Sequence, residues 1–139
     1  MEQNINLELQ TMEQSAQNRL LDWEVEWIRC KPYIERAAKH QDAYTIDDIE
    51  DKIRMGHFLL WPGKESAMIT EFLVYPQHNG MNLLFCGGKY EELEEMYKHI
   101  AAVAKQMGVK RLYCGGRRGW HRKLKHLGFE KEYVLRKDL

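Results

Sequence analysis

No stretch of this chain approaches the ~20 consecutive apolar residues that a membrane-spanning helix needs. A helical membrane anchor is therefore not expected. The first residues, Met1-Glu2-Gln3-Asn4, carry neither a basic n-region nor an apolar h-region. No signal peptide is read there, and the expected place of work is a cytoplasm. Charge of one sign is also lacking: 21 basic and 21 acidic residues cancel to zero. Global charge thus argues neither for a nucleic-acid partner nor for an acidic surface. Cysteine is sparse. Cys30, Cys86 and Cys114 are odd in number, and none stands at metal-ligand spacing from another. Free buried thiols are the plain reading. His78, His99, His121 and His126 are scattered, without a pair on one helical face beside an acid, so no metal is expected.

The chain does have the size and composition of one globular domain: 139 residues, 44% hydrophobic and 30% charged. Ile5, Leu9, Met12, Ala16, Leu20, Trp23 and Trp27 recur at three- and four-residue steps, which predicts a helix over residues 5–31. Residues 1–19 are otherwise rich in Gln, Asn and Glu and read as an amphipathic extension to a domain at 20–139. That extension packs either on a protein partner or on its own domain, and the sequence leaves both open. Pro32 suits the first turn of a second helix, with Tyr33, Ile34, Ala37 and Ala38 inward. Thr45, with Asp48 three residues on, reads as the N-cap of a third. Its stripe is Ile46, Ile49 and Ile53, and Gly56 ends it.

The pattern then becomes extended. His57–Trp61, Ser66–Tyr75 and Met81–Cys86 are short apolar or β-branched runs separated by Pro62-Gly63 and Pro76–Gly80, which predicts an antiparallel three-strand meander. Gly87-Gly88 opens a helix over about residues 89–107. Its stripe is Leu93, Met96, Tyr97, Ile100, Val103, Ala104 and Met107, and glutamates crowd its positive end. Val109–Cys114 is a strand. The helix before it favours a parallel crossover beside Met81–Cys86. A short helix near 118–127 and a last strand, Phe129–Leu135, follow. The fold class is α/β with a mixed sheet.

Three groups of residues are chemical candidates. Alternation places Ile69, Glu71, Leu73 and Tyr75 on one face of the second strand. A carboxylate there is a candidate general base for a substrate ammonium. Gly87, Gly88 and Lys89 form a turn of flexible backbone plus one cation, suited either to an anion or simply to a tight strand-to-helix connection. Gly115-Gly116-Arg117-Arg118-Gly119 is a second, more basic turn at a helix start. The basic run from Arg117 to Lys125 would also suit nucleic-acid phosphates, against which the zero net charge weighs.

The element order, with Trp120–Phe129 and its Leu127-Gly128-Phe129 ending, resembles the GNAT (GCN5-related N-acetyltransferase) fold over roughly residues 20–135. The Gly-Arg-Arg-Gly-Trp stretch is also similar to small GNAT-like proteins of tailed bacteriophages, which would place the chain in a host cytoplasm or a virion. The resemblance implies acetyl-CoA as cofactor and an amine as acceptor. It places the pyrophosphate loop at Cys86, Gly87, Gly88, Lys89 and Tyr90, and the nucleotide 3′-phosphate near Gly116, Arg117 and Arg118. The family's Arg/Gln-x-x-Gly-x-Gly/Ala pattern is absent there, and Glu91 and Glu92 follow at once. Val74–Gly80 resembles the lead into the same motif in another register. The family's thiolate-protonating tyrosine matches Lys123 and Leu124 here, so that acid is either missing or supplied by Tyr113, Tyr97 or Tyr133. Two functions follow: an acyl-CoA-dependent N-acyltransferase with Glu71 and Tyr113 as acid–base pair, or a GNAT-fold binding or assembly protein without catalysis, such as a virion or host-interaction component.

Overall fold

The computed structural model describes residues 23–116 and 119–139. The stripe from Ile5 to Leu20, the 19/20 boundary, Arg117 and Arg118 lie outside the described residues.

The first described element, α1, covers residues 23–38. It runs straight through Pro32, where two helices were expected. An interior proline costs about 3 kcal/mol. Here Pro32 is exposed, while Trp27, Cys30, Ile34 and Ala38 form one buried stripe on both sides of it. Each fully buried large side chain is worth ~1.5–3 kcal/mol, so the stripe outweighs the proline. Helix α2, Ile46–Arg54, starts as expected: Thr45 Oγ1 accepts from Asp48 N at 3.1 Å and the Asp48 carboxylate accepts from Thr45 N at 2.8 Å. Trp27 Nε1 donates to Glu50 and ties α2 to α1.

Strands β1 (Phe58–Pro62), β2 (Ser66–Val74) and β3 (Asn79–Gly88) form the antiparallel meander. Helix α3 (Tyr90–Gln106) crosses over to β4 (Val109–Tyr113), which lies parallel to β3. The order in the sheet is β1-β2-β3-β4. Helix α4 (Gly119–Leu124) and a 3-10 turn (Lys125–Leu127) follow.

Side chains divide between the two faces of the sheet, alternating along β2 and broken in β3 between Leu83 and Phe85. Ala67, Ile69 and Phe85 pack with the stripes of α1 and α2, whereas Met68, Met81 and Leu83 pack with Leu93, Ile100 and Ala104 of α3. With both faces covered, β2 is buried from Ser66 through Thr70. Two expectations are corrected. Gly87-Gly88 ends β3 rather than opening α3, because both residues still pair with β2 (Ala67↔Gly87, Ser66↔Gly88). Phe129–Leu135 is not a strand: residues 129–139 have no regular structure, and Tyr133 is 84% exposed. No helix among the described residues is long and apolar enough to cross a membrane.

A cleft where the parallel strands part

Strands β3 and β4 pair only from Asn79↔Val109 to Asn82↔Tyr113. Beyond that point β4 ends, while β3 continues to Gly88 paired with β2 alone. The opening starts where the β2–β3 register slips. Ile69 faces Phe85 but Thr70 faces Leu83, which leaves Leu84 as an extra residue in β3. Such a bulge bends its strand and increases the local twist, and here it lies just past the last β3–β4 pair, where β4 ends. The strands leave a cleft of about 280 Å³, with Asn82, Phe85 and Cys86 on one wall and Cys114 on the other. Tyr44 and Trp120 also line it. A second hollow of about 390 Å³ opens beside Glu71 and is lined by Lys52, His57, Phe58 and Phe72. Tyr44 belongs to both walls and stands against Phe58 and Phe85, with ring centroids at 5.5 and 6.1 Å.

Glu71, Asn82 and Tyr113 are successive cross-strand partners; Asn82 lines the cleft and Glu71 the second hollow. Met81 and Leu112, the next pair along, both pack toward α3. Asn82 and Tyr113 therefore face the α1–α2 side, as does Glu71, which follows Ile69 by two residues. Glu71 and Tyr113 are two strand spacings apart, ~10 Å. The Tyr113 ring lies over Gly80, where a Cβ would stand 3.0 Å from its Cε2. Tyr113 Oη is 3.3 Å from His78 Nε2, and Tyr75 stands beside both rings. Of the other two tyrosines considered, Tyr97 packs on Phe129 in the α3 layer, and Tyr133 lies in the exposed tail.

The strand-to-helix turn is occupied by the protein itself. A Cβ on Gly87 would lie 2.1 Å from the Tyr33 carbonyl oxygen, so this glycine lets α1 approach the sheet. Gly88 has φ +109° and abuts the Glu65 carbonyl. Lys89 N donates to that same carbonyl at 3.0 Å, and the Lys89 ammonium pairs with the Glu65 carboxylate, which pushes the lysine pKa up. Glu92 caps the residues that pack on the turn. Its carboxylate accepts from Ser66 Oγ and from Glu65 N, contacts that hold its pKa below the usual carboxylate range. Tyr90 Oη donates to the Lys123 carbonyl at 2.9 Å. The Lys123 ammonium rests over the rings of Tyr90 (4.8 Å) and Trp120 (5.8 Å), a cation beside the start of α3. Burial pushes the Cys86 thiol far up and the Cys114 thiol up to about 11, so both are neutral at physiological pH and poor nucleophiles. Gly116 lines the cleft with φ +145°.

Among solved structures, this chain is similar to an acetyltransferase of Trypanosoma brucei, with TM-score 0.59 and 9% identity over 78% of this chain and 89% of that one. It is also similar to a ribosomal-protein-alanine N-acetyltransferase from Brucella melitensis biovar Abortus 2308, with TM-score 0.56 and 13% identity over 81% and 91%. A third is an aminoglycoside acetyltransferase from an uncultured soil metagenomic sample in complex with trehalose, with TM-score 0.57 and 8% identity over 86% and 90%. The fold is that of the GNAT acetyltransferases. No protein-family model matches the chain, and no curated protein sequence does.

In this GNAT fold, the sequence alone pointed to Glu71 and Tyr113 but passed over their neighbours Asn82, His78 and Tyr44. The alternation of Asn82 between Met81 and Leu83 was a legible signal that it faces away from α3. No sequence signal marks His78, which reaches Tyr113 only through the strand pairing.

Proposed function

We propose that the chain is an N-acyltransferase that takes its acyl group from acetyl-CoA and passes it to an amine. The observation that carries this is the parting of β3 and β4. Leu83–Gly88 keeps one edge without a strand partner among the described residues, facing a cleft. Peptide N–H and C=O groups on such an edge bind an extended amide-bearing chain as another strand would. The pantetheine arm of coenzyme A is such a chain, and a bound thioester would supply the activated acyl carbonyl. In this reading Glu71 takes the proton from the attacking ammonium, directly or through water, and Tyr113 returns a proton to the departing thiolate. His78 and Gly80 hold the tyrosine in place. Positive charge for the phosphates comes from Lys123 and the start of α3, with Gly116, Arg117 and Arg118 as the candidate contacts for the 3′-phosphate. Cys86, Gly87, Gly88, Lys89 and Tyr90 are the candidate pyrophosphate contacts, a role that requires Glu65 to release both the Lys89 N–H and its ammonium.

Calorimetric titration with acetyl-CoA and desulfo-CoA tests this reading. Saturable binding of both, weakened by Lys123→Ala, is expected. No binding at millimolar ligand refutes it.

One observation favours a second reading, a GNAT fold kept for binding or assembly. The Gly87–Lys89 turn is filled by Tyr33 and Glu65. A protein of this kind binds no coenzyme A yet keeps its fold when Glu71 and Tyr113 are replaced together, and the same titration separates the two readings.

A further inference from the structure

The acyl-transfer reading leaves the amine open, and the hollow beside Glu71 limits it. Its volume of about 390 Å³ lies at the small end of ligand pockets, which span roughly 300–1,000 Å³. Tyr44, Phe58 and Phe72 give it aromatic walls, and Glu71 and Lys52, of opposite charge, both line it. Glu71 stands opposite Phe58 of β1, so both face the α1–α2 side of the sheet. Lys52 follows Ile49 by three residues on α2, which sets it beside the buried stripe of that helix. His57 completes the lining where the chain turns from α2 into β1, its backbone N–H donating to the Lys52 carbonyl at 2.9 Å.

Both charges lack a partner among the described residues. Of the two basic residues of α2, Arg54 pairs with Asp51 and Glu50, whereas Lys52 is in no ion pair. Asp48, one turn back on α2, has its carboxylate on Thr45 N. Glu71 is likewise in no ion pair, not even with Lys52. An unpaired charge on a convex surface signifies nothing. Here two opposite charges line one concavity without meeting, which leaves room between them for a ligand that carries both. We propose that this hollow binds a small amine that also carries a carboxylate, an amino-acid-like zwitterion, with its ammonium on Glu71 and its carboxylate on Lys52. Its body lies against Phe58 and Phe72. A polyamine is disfavoured, because its second ammonium would meet Lys52. The bound amine is the acyl acceptor only under the acyl-transfer reading, on which that role rests; the binding does not require it.

The test is amide chemical-shift perturbation in the isotope-labelled full chain, without coenzyme. L-Phenylalanine, L-leucine and β-alanine are each titrated against the same compound with its carboxylate replaced by a primary amide. Shifts at His57, Phe58, Glu71 and Phe72 are expected, with at least one acid binding about tenfold more tightly than its amide, as one charge-assisted hydrogen bond would give. Lys52→Met keeps the aliphatic stem and should abolish that preference while leaving the amide's affinity and the Tm unchanged. Lys52→Arg should retain the preference. Amides that bind as tightly as the acids, no binding by any acid, or a preference that survives Lys52→Met each overturn the proposal. Thiol release from acetyl-CoA separates it from the reading it deepens. Transfer to the amides or to spermidine but not to the acids overturns the proposal and spares acyl transfer. Acids that bind at the hollow in a protein that binds no acetyl-CoA refute acyl transfer and leave the site standing.

Discussion

Glu92 provides the sharpest quantitative test of how α3 is held to the sheet. Its carboxylate accepts hydrogen bonds from Ser66 Oγ and Glu65 N, in a pocket that exists because Gly63 has no side chain. A Cβ there would stand 2.0 Å from Glu92 Oε1. Ser66 is fully buried. Glu92→Ala therefore leaves a buried hydroxyl without its acceptor, a loss of about 1–3 kcal/mol, and also removes a charge-assisted bond to backbone. We expect about 2–3 kcal/mol in urea unfolding followed by circular dichroism, or a fall in Tm of roughly 6–9 °C at ~3 °C per kcal/mol for a chain of this size. Ser66→Ala in the same chain removes the orphaned hydroxyl, so the double variant should be no less stable than Glu92→Ala alone. The pH dependence has a definite sign. The folded-state pKa of Glu92 lies below its ordinary value of 4.5, chiefly through the Ser66 bond. Its charged contacts thus contribute fully above pH 4.5 and are lost as pH falls through the lower folded-state value. The gap between wild type and Glu92→Gln should close in that acid range. A Glu92→Ala protein within about 0.5 kcal/mol of wild type, the range of an ordinary surface change, would refute the argument.

Gly87→Ala should cost about 1–3 kcal/mol, because the new Cβ drives against the Tyr33 carbonyl and α1 must shift; a thermal melt reads it. Thr45→Ala removes the side-chain half of the α2 capping box and should cost ~1 kcal/mol in the same assay. If the acyl-transfer reading holds, Glu71→Gln lowers kcat by roughly 10²–10⁴-fold with acetyl-CoA affinity intact, as loss of a general base does. Tyr113→Phe should lower kcat while leaving the fold unchanged, measured by thiol release alongside circular dichroism. Thiol titration of the native protein should be slow at Cys86 and Cys114 and rise only at alkaline pH, following their raised pKa values.

Local rules in the sequence determined most of the elements of this protein. The Thr45–Asp48 cap, the stripes of α2 and α3, the three extended runs and the helix that forces a parallel crossover all rest on periods of 3.6 or 2 within a few residues. Such periods survive without tertiary context. The same alternation placed Glu71 on the face where the cleft lies. Tertiary structure alone decided the rest. Pro32 stands inside a helix because a buried stripe of four residues outweighs one missing hydrogen bond. Gly87 and Gly88 belong to β3 because Ser66 and Ala67, some twenty residues away, pair with them, and Tyr33 needs the room. The bulge at Leu84, which lies at the cleft just past the last β3–β4 pair, shows in no periodicity. Phe129–Leu135 has the composition of a strand and is not one, since a strand needs an edge to pair with and composition cannot say where that edge will be.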